Sequence, residues 1–310
     1  DVFSGRHGVG SRPGSGRKEL ADFVVGDKNP LTARVYVNRV WGWLFGRGLV
    51  GTPNDFGHLG QKPSHPELLD YLAREFVRDG WSTKRLIRRI LLSRTFQQSH
   101  RVHASARDID PTNRLLHHYS TRRLEAEAIR DSILAVSGRL DSQLFGRAIE
   151  SSRTRVDTAK RLFSGPTDGA GRRSIYIRMT IMDPPRLLAV FNQPAPKIPT
   201  GVRDVTNVPS QALVLLNDPF VADQAAYWAN RLVRGRQSEV AERLQLMFQR
   251  AYGRSATNTE ISLWSDAVVS LAKLISPHEN YDVPQILAHT EVWTNIAHAM
   301  FNSKEFINYR

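Results

Sequence analysis

Apolar positions three and four residues apart mark most of this chain as amphipathic helix. The clearest case lies between Asn29 and Gly46, where Leu31, Val35, Trp41 and Phe45 share one stripe. Asn29 suits an N-cap, and Pro30 takes the first helical position, where a missing N–H costs nothing. Asn38 falls on that same stripe, among the apolar residues rather than opposite them. A buried amide left unbonded costs roughly 1–3 kcal/mol, so its partners are expected in the loop that follows.

Other stripes continue the pattern. A short helix is predicted over 17–25. Ser64 and Glu67 have capping-box spacing ahead of Leu68, Leu69, Leu72 and Phe76. Ser82 opens a helix with Leu86, Ile87, Ile90 and Leu91 inward and Lys84, Arg85, Arg88 and Arg89 outward. Asp110-Pro111 predicts a helical segment running through the pair His117-His118. Residues 121–136 predict another, with Arg122, Arg123, Glu125, Glu127, Arg130 and Asp131 read as i,i+4 charge pairs. Beyond residue 183, helices are expected after Pro184-Pro185, at Pro209, at Asp218-Pro219 and around Val240. Thr257 with Glu260 forms a further capping box, and one last helix starts at Pro284. Only residues 172–178, RRSIYIR, read as strand. The expected fold is mainly α: a multi-helix globular domain with long ordered polar loops and at most a small β element near 172–178. Residues 1–16, rich in Gly and Ser, read as a flexible linker. Residues 17–138 form an N-terminal helical lobe, 139–182 an irregular insertion, and 183–310 a C-terminal helical lobe, the two lobes making one domain.

Two long loops gather polar groups. The loop after Gly46 carries Asn54, Asp55 and His58, and connections of this length are often functional. Asp55 and His58 are candidate acid–base groups or ligands, although Asx turns also place Asn and Asp in such loops. The second loop, 192–208, and the helix after it carry Arg203, Asp204, Asn207, Gln211 and Asn217. With Asn38 and Arg39, these residues form the candidate polar cluster, for binding or for structure. Lys84, Arg85, Arg88 and Arg89 form a candidate basic face. Adjacent helical residues point about 100° apart, so His117 and His118 do not share a metal readily, and no metal site is expected.

Composition narrows the chemistry. The chain has 310 residues, enough for a sizeable core, and no cysteine. Disulfides, thiolate zinc sites, iron–sulfur clusters and Cys-linked haem are therefore excluded within it. The formal charge is +13, which suits nucleic acid, anionic lipid or acidic polysaccharide. No run approaches the roughly 20 apolar residues of a membrane helix. The start at Asp1, with no initiator Met or leader pattern, reads as a piece of a longer protein.

Several segments together resemble one family: NPLTARVYVNRVW, GRGLVGTPNDFG, HPELLDYLAREFVRDGWSTKRLIRRILLSRTFQQS, RRLEAEAIRDSILAVSGRLD, RRSIYI, RDVTNVPSQALVLLNDPFV, AYGRSATNTE and HAMFNSKEF. The resemblance is to the C-terminal domain of unknown function of planctomycete-type, cytochrome-c-associated large proteins, and it covers roughly residues 17–310. Such proteins carry an export signal, a haem-binding cytochrome-like region and a second uncharacterised domain upstream. The resemblance therefore implies an extracytoplasmic setting and these upstream domains as partners. Haem would reside in the upstream region, with no cofactor in this chain. It brings no catalytic residues.

Three functions are in play. The first is a non-catalytic binding or scaffolding module, for example for acidic polysaccharide. The second is a glycan-active hydrolase or lyase using carboxylates such as Asp55 or Asp204 in a loop-lined cleft, which needs two carboxyl groups roughly 5–9.5 Å apart. The third is a nucleic-acid binder using the basic helix face. The reading leans away from an enzyme.

Overall fold

A computed structural model describes residues 15–26, 29–153, 156–159, 162–181, 183–277 and 282–309. The linker expected over 1–16 lies almost wholly outside the described residues, as do positions 154, 155, 160, 161 and 182 of the insertion. The chain divides into two compact units, 1–122 with 310 and 123–309. The fold is mainly α, with 13 α-helices among the described residues and a two-stranded ladder, β1 (Arg122–Arg123) and β2 (Asn308–Tyr309). No described helix is long and apolar enough to cross a membrane.

The first unit contains α1 (Arg17–Val25), α2 (Pro30–Phe45), α3 (Pro66–Arg78), α4 (Thr83–Leu91) and α5 (Ala104–Ile109). Asn29 caps α2 by accepting the Leu31 N–H at 3.0 Å, and Gly46 ends it in the left-handed conformation. The core joins Val37, Trp41 and Phe45 of α2 to Leu69, Leu72 and Phe76 of α3 and to Leu86 and Ile90 of α4. Tyr36 stacks on Phe76 at 5.0 Å between ring centroids. The Ser64/Glu67 capping box does not form. His65 is the N-cap of α3, and the Ser64 hydroxyl turns instead to His65 Nδ1 at 3.0 Å.

The expected helix over 111–118 is also absent. Asp110 does cap the Arg114 and Leu115 N–H groups, but Asn113 and Leu116 both adopt positive φ. The Asn113 side chain then binds the His118 carbonyl at 2.8 Å, closing a turn where a helix would run on. Local side-chain bonds of this kind compete with helix.

The second unit contains α6 (Ala126–Ser137), α7 (Arg186–Val190), α8 (Pro209–Asn217), α9 (Pro219–Val233), α10 (Val240–Tyr252), α11 (Asn258–Ile275), α12 (Val283–Ala288) and α13 (Thr290–Phe301). Helices α9 and α13 form its centre. Trp228 and Phe301 stack at 5.3 Å there, with Trp293, Phe248, Ile133 and Leu215 fully buried around them. Helix α6 begins at Ala126 rather than residue 121, because Arg123 is in β1 and the Leu124 N–H reaches the Ile307 carbonyl at 2.7 Å. The expected single last helix is two, α12 and α13, divided at His289.

Residues 172–178 do not form a strand. Residues Ser174–Tyr176 make a 3₁₀ turn, and only Arg172 and Ile177 form isolated bridges, with Asp141 and Ile149. The reason lies on α6. Asp131 accepts both the Ser174 N–H and its hydroxyl at 2.7 Å, while Arg130 donates to the Arg172 carbonyl at 2.9 Å. Side chains from the helix draw the segment into a turn before β pairing can extend.

Candidate functional site

The candidate residues fall into sets within each unit. In the first unit, Asn38 is 1% exposed. Its Nδ2 donates to the Val50 carbonyl at 3.0 Å, and its Oδ1 accepts the Val50 N–H at 2.8 Å. One amide thus satisfies both backbone groups of one loop residue, as its place on the apolar stripe required. A Cβ at residue 48 would come within 2.7 Å of Asn38 Nδ2 and the Val50 carbonyl, so Gly48 is what lets the loop approach. The other members sit nearer the surface. Arg39 donates to Asn54 Oδ1 at 3.0 Å, and Asp55 closes an Asx turn by accepting the Gly57 N–H at 2.9 Å. His58 is exposed on the same loop.

The second unit holds a larger network. Gln211, 4% exposed on α8, donates to the Val190 carbonyl at 3.1 Å, Thr206 Oγ1 at 3.2 Å and Asn192 Oδ1 at 3.3 Å. Its Oε1 accepts from Arg123 at 3.0 Å. Arg123 also donates to Asn192 Oδ1 at 2.8 Å, to the Phe191 carbonyl at 3.5 Å and to the Thr206 carbonyl. Its partners are all neutral oxygens. Burial pushes the Arg123 guanidinium below its ordinary basicity.

Arg203 forms a fork on Glu127, at 2.6 and 3.1 Å, with Glu125 at 3.4 Å beyond it. Burial raises the Glu127 carboxyl, but the Arg203 hydrogen bonds and charge outweigh it and hold the group below the usual range. Asp204 and Asn207 are exposed, and Asn217 returns its amide to the Leu213 carbonyl of its own helix at 2.9 Å. The structure thus joins Arg203 to Glu127 and Gln211 to Arg123, and leaves Asp204, Asn207 and Asn217 outside both groups.

Arg123, Glu127 and Asn192 are the residues that sequence reasoning missed. Arg123 and Glu127 read as members of i,i+4 pairs, yet they reach the loop 192–208 instead. Asn192 holds a positive φ of 64° just past Phe191, the C-cap of α7, a conformation that Asn tolerates better than most residues. An Asn just past the C-cap of a short apolar helix was the one available signal.

The basic face splits in two. Arg89 lies against carboxylates, donating to Glu75 at 2.6 Å and Asp79 at 2.9 Å, and to the Tyr71 hydroxyl at 3.2 Å. Lys84, Arg85 and Arg88 are exposed and have no carboxylate partner among the described residues. Trp81, 38% exposed, immediately precedes the Ser82 N-cap of α4, and its ring meets Phe76 edge-on at 5.3 Å. No group of three or more His, Asp or Glu among the described residues is placed to hold a metal ion.

Residues 16–268 match the family PSD1, described as a protein of unknown function (DUF1553), and the chain belongs to that family. No curated protein and no solved structure matches it.

Proposed function

We propose that this member of the PSD1 family is a non-catalytic binding module for acidic polysaccharide, working through the outer face of α4. The observation that carries the reading is the division of the basic residues there. Arg89 is fixed by Glu75 and Asp79, while Lys84, Arg85 and Arg88 stand exposed without counter-charge among the described residues. Lys84 and Arg88, four residues apart, share one face of the short helix, with Arg85 about 100° round from Lys84. Exposed aromatic rings on the same unit, Trp81 and Tyr71, supply apolar faces of the kind on which sugar rings rest. The extracytoplasmic setting and the haem-bearing neighbour implied by the resemblance belong to this proposal.

The hydrolase alternative has weaker support, because Asp55 is engaged with its own loop backbone. A nucleic-acid reading uses the same face and is separated by experiment. The full chain is titrated with polygalacturonate, neutral dextran and duplex DNA over a range of salt. Saturable polygalacturonate binding is expected, with dextran inert and at least ten-fold weakening in the Arg85→Glu, Arg88→Glu double variant. Unchanged affinity in that variant would overturn the assignment of the face. Tighter binding to DNA, with a log–log salt slope of roughly −2.7 for three phosphate contacts, would give the face to nucleic acid instead.

A further inference from the structure

We propose that a cavity in the second unit, lined by Arg231 and Arg250, binds an oxoanion group, a phosphate or a sulfate. This inference is independent of the α4 face. The cavity is open to solvent, with both arginines exposed; it has a volume of about 260 Å³ and is also lined by Ala135 and Val136, in the last turn of α6.

Arg231 is accounted for by the fold. Helix α6 ends at Gly138, whose φ is 79°, and Arg231 of α9 donates to the Ser137 carbonyl at 3.0 Å. A Cβ at residue 138 would fall 1.4 Å from Arg231 Nη1, so only glycine leaves room for the guanidinium. A cation at a helix C-terminus is favourable, and one such bond leaves most of the fork's donors free.

Arg250 has no such explanation. It lies in the last turn of α10 and opens into the same cavity. Among the described residues it makes no hydrogen bond or ion pair, and no carboxylate lies within ion-pair distance of either arginine. The Arg250 guanidinium is held below its ordinary basicity by burial and then by the charge of Arg231. Both side chains are exposed, so solvent screens part of their repulsion, and an anion between them would relieve the remainder. Paired guanidinium forks match the oxygens of a tetrahedral anion geometrically as well as electrostatically. The volume also leaves room for the group that carries the phosphate or sulfate.

The test uses the full chain, with thermal shift and calorimetric titration by sodium sulfate and sodium phosphate against sodium chloride at matched ionic strength. Saturable binding of sulfate or phosphate is expected, with a rise in Tm beyond that given by chloride. Arg250→Gln should weaken it at least ten-fold without lowering Tm in the absence of anion, since this side chain holds nothing in place. Arg231→Lys should keep the charge at α6 and still weaken binding several-fold by losing the fork. Phenyl phosphate and phenyl sulfate then distinguish the two sources, and a preference for either supports the site. Equal effects of chloride and sulfate, or full affinity in Arg250→Gln, would overturn it.

Discussion

The loops 46–65 and 192–208 face the same problem and solve it with different chemistry. Each crosses its unit's surface with backbone groups that need partners; the first is tied to α2 by a buried side chain, the second to β1 by a half-buried one. The first uses Asn38, a neutral amide that both donates and accepts, matched to the C=O and N–H of Val50. The second uses Arg123, which offers only donors, and therefore meets only oxygens: Thr206, Phe191, Asn192 and Gln211. An amide settles one residue in both directions. A guanidinium gathers acceptors from several segments and needs a second amide, Gln211, to supply donors in return.

The largest effect is expected at Asn38. Asn38→Leu leaves both Val50 backbone groups unpaired where no water reaches them, and should lower stability by about 2–4 kcal/mol in a denaturant titration. A variant as stable as the parent would show that the loop detaches from α2 at little cost. Arg123→Leu should follow, at about 1.5–3 kcal/mol, because two of its partners, Asn192 and Thr206, are only half-buried and can turn to water. Arg123→Lys recovers little of this, since a single ammonium cannot span four acceptors. Recovery of most of the loss by lysine would mean that charge alone holds the second loop.

These anchors were not equally legible. Asn38 declared itself by standing on an apolar stripe, where burial obliges hydrogen bonding, and the following loop was the nearest source of partners. Asp55 likewise sits in the local turn its residue type favours. Arg123 gave no comparable signal. Its partners lie 68 to 88 positions away, and beside Glu127 it reads as helix surface charge. The same long range hid the fate of RRSIYIR, whose apolar triplet promised a strand until Asp131 and Arg130 captured it. Helix stripes are local and survive reading in one dimension. Polar networks between distant segments do not.

Acid separates the two loops further. Asn38 and Val50 carry no titrating group, so the first anchor should hold at any pH the fold tolerates. The Arg203 fork depends on ionised Glu127, whose carboxyl is held below the usual range in the folded chain. A depressed carboxyl contributes stability that is full above the unfolded carboxylate pKa and is lost as pH falls through the lower folded value. Hydrogen exchange corrected for intrinsic rates should therefore show 192–208 loosening in acid while 46–65 stays protected. Glu127→Gln should loosen the second loop already at neutral pH, by less than about 1 kcal/mol for a pair this open to solvent. Equal acid sensitivity of both loops would remove the contrast.

The smallest effect is expected at the surface bond between Arg39 and Asn54, which spans the same helix and loop as Asn38 but lies in water. Arg39→Ala should change stability by no more than about 0.5 kcal/mol. Its value is as a control on Asn38, because both substitutions cut a link between α2 and the loop and only burial differs. If Arg39→Ala is nearly silent and Asn38→Leu is severe, the loop is held by one internal amide and its outer polar groups are free to meet a ligand. If the two costs are alike, the exposed residues are part of the anchor, and Asn54 and Asp55 then have structural duties that a bound sugar would have to respect.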